Sequence, residues 1–167
     1  MKIAIIYGST TDNTKNAAQT IAAQLRDFNP ELKDVASATP EDFTNNDYLF
    51  LGTSTWGSGE VQDDWYDMLP KLKSVDLSGK KLSLFGLGDS CSYSDTFVDG
   101  MGELYDFFSK KNCNILGAVG SSEYSFDNSL AVIDGKFVGL PLDEDNEGYL
   151  TEKRITNWLQ NIQPYLK

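Results

Sequence analysis

The sequence predicts an α/β fold in which helices cover both faces of a parallel β-sheet. Apolar runs rich in β-branched and aromatic residues alternate with amphipathic helical patterns, which is typical of βαβ units. The runs at residues 3–6 and 48–53 are almost continuously apolar, as strands buried on both faces are. Glycine and hydroxyl residues follow both runs, and the run at 81–88 also ends in glycine. Because ligands bind beyond the carboxyl ends of parallel strands, these strand ends predict the position of the site.

Each element follows from a local pattern in the chain. The strands are apolar runs that glycine or proline ends, and the helices carry apolar residues at three- and four-residue spacing. The elements expected in order are a strand at 3–6, a helix after Thr14, a weak strand at 32–36, a polar connection at 40–46, a strand at 48–53, a helix around 65–72 that Pro70 interrupts, a strand at 81–88, a helix around 97–108, a short strand at 114–119 and a helix around 155–162.

The segment from Gly120 to Asn146 is too long for a simple connection inside one domain. Its apolar residues would let it form a small hairpin-like subsheet, with Asp134 and Gly135 as the turn. We therefore expect one domain over residues 1–167, with an insertion at about 120–142.

The composition is that of a globular protein and excludes several kinds of chemistry. Because the chain has no histidine, it lacks Ser–His and Cys–His nucleophile pairs and imidazole bases. Cys91 and Cys113 have neither metal-ligand nor redox-pair spacing, so reduced thiols are expected. A net charge of −11 argues against nucleic acid and anionic membranes. It favours basic partners, and the alternative is that it serves only to keep the protein in solution. With no membrane-length apolar run and no signal peptide, the expected location is the cytoplasm.

The stretch after the first strand has the composition of an anion site. Four hydroxyl residues, Ser9, Thr10, Thr11 and Thr14, lie where the strand feeds a helix N-terminus. Free backbone N–H groups and the helix dipole favour negative charge there, so a phosphate is one interpretation. The alternative is that these hydroxyls only cap the helix.

The two later loops each carry an aromatic residue among small ones. Trp56 follows directly on the strand at 48–53, and Tyr93 lies in the loop after the strand at 81–88. Single loop aromatics are usually partly covered hydrophobes, but two on neighbouring loops predict the walls of a slot for a flat ring. Stacking on such rings contributes about 1–3 kcal/mol per base in nucleic-acid systems.

Together these loops resemble the flavodoxin family. The resemblance rests on the hydroxyl loop, the Thr-x-Thr-Trp-x-x-Gly-Glu-x-Gln-x-Asp-Trp stretch at 53–65, the Gly-Asp-x-x-x-Tyr stretch at 88–93, and residues 137–146, which are similar to the late segment of long-chain flavodoxins. It implies a doubly wound, three-layer flavodoxin-like α/β/α fold with a five-stranded parallel sheet in the order 2-1-3-4-5. It also implies one non-covalent FMN and electron transfer between proteins rather than an enzyme activity.

The resemblance gives each loop a role. The hydroxyl loop would bind the phosphate, Thr55 and Asp145 would reach the ribityl chain, and Trp56 and Tyr93 would sandwich the isoalloxazine ring. No catalytic or metal-binding residue is implied. The expected cofactor-binding residues are Ser9, Thr10, Thr11, Asp12, Asn13, Thr14, Thr53, Ser54, Thr55, Trp56, Gly57, Ser58, Gly59, Leu87, Gly88, Asp89, Tyr93, Phe97 and Asp145.

One position departs from the family, which usually has glycine where this chain has Asp12. If that position requires positive φ, aspartate is among the few tolerable substitutes. Its carboxylate would stand near a dianionic phosphate, so we expect it to weaken FMN binding modestly. Lys15 is the cation expected to offset it.

Two features would tune the electron-transfer chemistry. Gly57 lets its peptide turn beside the ring without the cost of about 1–2 kcal/mol that a non-glycine residue incurs at positive φ. Carboxylates near the ring disfavour the anionic reduced flavin, which predicts a low-potential carrier. The candidates are Glu60, Asp63, Asp64, Asp89 and Asp95.

The expected partners are basic redox proteins such as flavodoxin–NADP reductase, with this chain acting as a monomer. A P-loop is excluded because Gly-Lys-Ser/Thr is missing. A receiver would need paired acidic residues after the first strand, and a tyrosine phosphatase a Cys-x5-Arg loop; neither is present. An FMN-dependent NAD(P)H:quinone reductase stays open, because related folds bind FMN as enzymes.

Overall fold

A parallel sheet forms the centre of the protein in a computed structural model that describes all 167 residues. The strands are β1 (Ile3–Gly8), β2 (Glu31–Asp34), β3 (Tyr48–Trp56), β4 (Glu60–Val61), β5 (Lys81–Leu87), β6 (Asn114–Ile115), β7 (Val119–Gly120), β8 (Val132–Ile133), β9 (Lys136–Phe137) and β10 (Leu140–Leu142). In the central sheet, four of them lie in the order β2-β1-β3-β5, and each pairs in parallel with its neighbour. The helices are α1 (Asn13–Gln24), α2 (Pro40–Thr44), α3 (Asp63–Leu72), α4 (Asp99–Phe108), α5 (Glu144–Glu147) and α6 (Thr151–Ile162).

Each face of the sheet has its own hydrophobic core. Successive side chains of a strand point to opposite faces, so Ile3 and Ile5 pack on one side with α1 and α6, while Ala4 and Ile6 pack on the other with α3 and α4. Every residue of β1 is buried, which explains its uninterrupted apolar sequence. The predicted three-layer α/β/α fold is confirmed.

The fifth position in the sheet is shared by two short strands. β6 pairs with the first two residues of β5, and β10 pairs with its last three. The predicted order 2-1-3-4-5 is therefore confirmed, with its last strand interrupted. The three residues of β10 belong to the central sheet, although the sequence assigned them to the end of the insertion.

The chain between β6 and β10 contains a small antiparallel sheet in the order β7-β9-β8. Asp134 and Gly135 connect β8 to β9, and both have positive φ, 53° and 78°. Two such residues are typical of a tight hairpin turn, so the predicted turn is confirmed.

Other boundaries differ from the predictions. Residues 40–46 contain α2, whose single turn is too short to show a periodic pattern; the Asp42 carboxylate accepts a hydrogen bond of 2.8 Å from the Thr39 N–H at its start. Pro70 does not interrupt α3, because it gives up one backbone hydrogen bond only two residues before the helix ends. Phe97 lies before α4 rather than within it. No helix combines the length and apolarity needed to cross a bilayer.

Candidate functional site

The loops after β1, β3, β5 and β10 meet at one edge of the sheet and enclose a cavity of about 390 Å³. This volume is within the usual range for small-molecule sites. The lining residues are Thr11, Asn13, Ser54, Thr55, Trp56, Gly57, Leu87, Gly88, Asp89, Tyr93, Thr96, Glu144 and Asp145. The three strand ends that the sequence singled out are therefore brought together.

Most of the predicted residues line this cavity or lie beside it. Thr53 and Phe97 do not, because both side chains are buried: the Thr53 hydroxyl hydrogen-bonds to backbone, and Phe97 packs on other aromatic rings. The remaining predicted residues outside the lining are Ser9, Thr10, Asp12, Thr14, Ser58 and Gly59. Thr96 and Glu144 line the cavity but were not predicted, although each lies next to a predicted cofactor-binding residue.

The loop between β1 and α1 presents an unusual row of backbone donors, and we call residues 9–14 the phosphate loop. The five consecutive N–H groups from Thr10 to Thr14 donate to no protein acceptor. The next N–H, of Lys15, donates to the Ser9 hydroxyl at 3.3 Å. Capping therefore accounts for one of the four hydroxyls, and the row of free donors suits an anion.

Asp12 is the N-cap residue of α1, and its φ of 70° and ψ of −5° place its backbone in the left-handed region. The condition under which aspartate is a tolerable substitute for glycine, a positive φ, therefore holds at this position. The Asp12 side chain makes no capping hydrogen bond and no ion pair, including none with Lys15. Its charge and that of Asp34 add to burial, the main cause, in raising the pKa of Tyr7. The carboxylate is thus uncompensated beside the row of donors.

The Thr14 hydroxyl is the strongest sign of a missing partner. Thr14 is 1% exposed, and its Oγ1 is the one buried side-chain nitrogen or oxygen atom in the protein without a hydrogen-bond partner. Leaving such a group unsatisfied costs about 1–3 kcal/mol. Because it lies in the first turn of α1, beside the free N–H groups, an anion at this helix terminus would satisfy it.

The slot between Trp56 and Tyr93 is built differently from the phosphate loop. Trp56 and Tyr93 both line the cavity while remaining 40% and 60% exposed. β4 pairs antiparallel with Thr55 and Trp56, so β3 continues into a tight turn in which Gly57 and Gly59 have φ 55° and 101°. The Trp56 Nε1 donates to the Ser54 hydroxyl at 2.7 Å, which holds the indole at the cavity wall.

The turn after Trp56 rests on the start of α4. A Cβ on Gly59 would lie 2.6 Å from the Asp99 carboxylate, so a larger residue would require Asp99 to shift. Asp99 accepts a hydrogen bond of 2.7 Å from the Leu130 N–H, but burial still raises the pKa of its carboxyl. The Gly100 N–H donates to the Thr55 hydroxyl at 3.0 Å. Together these contacts fix the base of the turn and leave its tip exposed.

The loop that carries Tyr93 is fixed by two carboxylates. Asp89 accepts hydrogen bonds from the N–H groups of Ser92 and Cys91, and the Ser92 bond is the main cause that lowers the pKa of Asp89. The buried Asp143 accepts from Ser90 and Asn146, and the Asn146 side chain also donates to Asp89 at 2.8 Å. This network connects β10 to the loop.

Negative charge is concentrated at the side of the cavity formed by the Tyr93 loop and the residues after β10. Burial, followed by the charges of Asp89, Asp143 and Glu144, raises the pKa of Asp145. Of the five carboxylates proposed from the sequence, only Asp89 lines the cavity, while Glu60 lies 3.4 Å from where a Gly57 Cβ would be. Nowhere do three histidine, cysteine, aspartate or glutamate side chains form a group able to hold a metal ion.

Comparison with known proteins gives a consistent result. The family model described as flavodoxin matches residues 5–158. The chain is 41% identical over 165 residues to a flavodoxin from Buchnera aphidicola, covering 98% of this chain and 96% of that protein. It is 40% identical to a flavodoxin from Synechocystis, covering 99% and 98%. The crystal structure of Fusobacterium nucleatum flavodoxin bound to flavin mononucleotide superimposes with a TM-score of 0.93 at 32% identity, covering 98% of both chains.

Proposed function

The chain belongs to the flavodoxin family, and from this premise we propose that it carries single electrons between redox proteins on a non-covalently bound FMN. The observation that carries the proposal is the partnerless, buried Thr14 hydroxyl beside five free N–H groups. A similar protein, Fusobacterium nucleatum flavodoxin, has been solved with FMN bound. The quinone-reductase alternative is not favoured, because the similar proteins are flavodoxins.

In this proposal the phosphate loop holds the FMN phosphate. A dianion accepts several charge-assisted hydrogen bonds, and the loop offers its N–H groups and the Thr14 hydroxyl. Burial of that hydroxyl without a partner supports the fit. The phosphate-binding residues would be Ser9, Thr10, Thr11, Asn13 and Thr14.

The slot would hold the ring system. Trp56 and Tyr93 would stack on its two faces, and Thr55 and Asp145 would reach the ribityl chain. The bound FMN would supply the one-electron chemistry, while the protein excludes water from the ring and sets its electrostatics. Asp89, Glu144 and Asp145 line the cavity, so negative charge would make the anionic reduced flavin less stable and the carrier a strong reductant.

The proposed partners are basic redox proteins, such as flavodoxin–NADP reductase. A net charge of −11 supports this, because opposite charges speed the encounter of two proteins. Neither cysteine forms a disulfide, and Cys91 is exposed, which supports a reducing compartment such as the cytoplasm. We propose that the protein meets these partners as a monomer.

An absorption spectrum of the purified protein tests the cofactor. We expect the two visible bands of an oxidised flavin, and one FMN per chain when the apoprotein is titrated with FMN. A colourless protein that also binds no added FMN would overturn the proposal. NADPH consumption then separates carrier from enzyme: we expect none until a flavodoxin reductase is added, and turnover with quinone alone would instead support the reductase.

A further inference from the structure

Gln62 connects the phosphate loop to the strand that carries Trp56. Its side chain is 2% exposed, and its Nε2 donates to the Thr10 hydroxyl at 3.2 Å. Its backbone N–H donates to the Thr53 hydroxyl at 3.1 Å. The end of β1 packs directly against it, since a Cβ on Gly8 would lie 2.4 Å from the Gln62 Oε1. The side chain of Gln62 thus reaches the phosphate loop, while its backbone reaches β3.

The neighbours of Gln62 fix which end of its amide faces Thr10. The Oε1 accepts a hydrogen bond of 3.0 Å from the Asp64 N–H, and the Nε2 donates to the Asp64 carboxylate at 2.8 Å. A backbone N–H can only donate and an ionised carboxylate can only accept. The amide therefore presents its N–H to Thr10, and the opposite orientation would lose both contacts.

This orientation decides what the Thr10 hydroxyl can do. A hydroxyl has one proton and two lone pairs, so a hydroxyl that accepts from Gln62 keeps its proton for another acceptor. An anion at the neighbouring free N–H groups is such an acceptor. We propose that Gln62 is a positioning residue that makes the Thr10 hydroxyl a donor toward the FMN phosphate. The inference rests on the proposed function, because it concerns the same ligand.

The substitution Gln62→Glu tests this polarity with an almost unchanged shape. The oxygen that replaces Nε2 would face the Asp64 carboxylate, so the two carboxyl groups would share one proton. That oxygen has no proton to give Thr10 and accepts from it instead, so the hydroxyl would present a lone pair to the phosphate. A hydrogen bond to a charged group is worth roughly tenfold or more in affinity, so we expect FMN affinity to fall at least about tenfold. Riboflavin, which lacks the phosphate, should bind Gln62→Glu within about threefold of the parent. The measurement is quenching of flavin fluorescence by the apoprotein.

Two further variants separate polarity from packing and from charge. Gln62→Met leaves the Thr10 proton unconstrained, so it should lose less FMN affinity than Gln62→Glu. Equal losses in both would indicate a purely structural role and overturn the inference. In a Thr10→Val background, Gln62→Glu should cause little further loss, whereas a full second loss would show that the new charge acts directly on the phosphate and would also overturn it.

FMN titration of the parent, FMN titration of Gln62→Glu and urea unfolding together distinguish a failure of the proposed function from a failure of this inference. The parent is titrated first, and if it binds no FMN, both the proposed function and this inference are wrong. If the parent binds FMN and Gln62→Glu binds it equally well, only the inference is wrong. Urea unfolding of each apoprotein shows whether the variant is folded. If Gln62→Glu does not fold, FMN affinity is compared in Gln62→Met, Thr10→Val and the double variant. We expect the two losses of affinity not to add, and fully additive losses would overturn the inference.

Discussion

The phosphate loop and the aromatic slot belong to one site but are built in opposite ways. The phosphate loop joins the buried strand β1 to α1, and its N–H groups are aligned by the start of that helix. The slot is formed by exposed rings on two loops, with positive-φ glycines in the turn beside Trp56. This difference indicates that the phosphate loop supplies a fixed affinity for FMN, whereas the slot supplies an adjustable environment for its ring.

The two parts also differ in whether their polar groups have hydrogen-bond partners within the protein. In the slot, the Trp56 indole, the Thr55 hydroxyl and the Asp89 carboxylate all have protein partners. In the phosphate loop, five N–H groups and the Thr14 hydroxyl have none. Because unsatisfied polar groups cost free energy, the phosphate loop gains most from a ligand, while the slot is complete without one.

The largest expected effect comes from Thr14→Val, which removes the partnerless hydroxyl with little change in shape. FMN affinity should fall about 10- to 100-fold, because a hydrogen bond to a charged group contributes roughly 1.5–3 kcal/mol. The apoprotein should become more stable by about 1 kcal/mol, since an unsatisfied buried group is lost. FMN titration and urea unfolding measure the two effects.

Thr14→Ser is the matched control, because it keeps the hydroxyl. It should retain most of the FMN affinity and lose only the packing of one methyl group. If Thr14→Val bound FMN as tightly as the parent, the hydroxyl would not contact the phosphate, and the contrast between the two parts of the site would fail.

The second effect concerns the slot. Gly57 has φ 55° and is exposed at the tip of the turn, and an added Cβ would make only an ordinary contact of 3.4 Å with the Glu60 carboxylate. Gly57→Asn therefore changes the balance between turn conformations without a steric clash. We expect the gap between the two reduction potentials to change by about 50 mV, the equivalent of about 1 kcal/mol. FMN affinity for the oxidised state should change little. Spectroelectrochemistry measures both potentials.

Gly79→Asn is the control for backbone strain alone. Gly79 also has positive φ, 78°, nothing lies within 4 Å of its added Cβ, and it does not line the cavity. The variant should lose some stability but keep both potentials. A gap in Gly57→Asn that stays within experimental error of the parent would show that the turn does not tune the flavin.

The same contrast explains how much the sequence could predict. Residue types and spacing singled out the loops after β1, β3 and β5, and the structure brings these three loops together at the cavity. Spacing could not decide which side chains point into the cavity. Thr53 satisfies the backbone of Gln62 instead, and Phe97 packs in the core, since strand register and helix starts depend on tertiary packing. Thr96 lies outside the stretches that carry the resemblance, and Glu144 lies within residues 137–146, where the resemblance gave a role only to Asp145.

The interruption of the last strand could not be predicted for a related reason. Residues 114–119 read as one strand, but only Asn114 and Ile115 pair with β5 before the chain leaves for the small sheet. The position is refilled by β10, whose Pro141 lies at a sheet edge where a missing N–H is tolerated. Long-range pairing of this kind leaves no local signal.

The smallest expected effect is at Asp12, where the phosphate loop departs from its family. Its backbone needs positive φ, which glycine adopts freely, and its exposed carboxylate has no ion-pair partner beside the expected phosphate. Asp12→Gly removes both the strain and the charge, so FMN affinity should rise about two- to fivefold, as expected for an exposed charge worth under 1 kcal/mol.

Asp12→Asn separates the two contributions, because asparagine tolerates the same backbone conformation but carries no charge. If repulsion dominates, Asp12→Asn should gain most of the affinity seen in Asp12→Gly, and the gain should shrink in high salt, where exposed charges are screened. If only Asp12→Gly improves binding, backbone strain is the cause. An unchanged dissociation constant in both variants would show that neither the charge of Asp12 nor its backbone strain affects how the phosphate is bound.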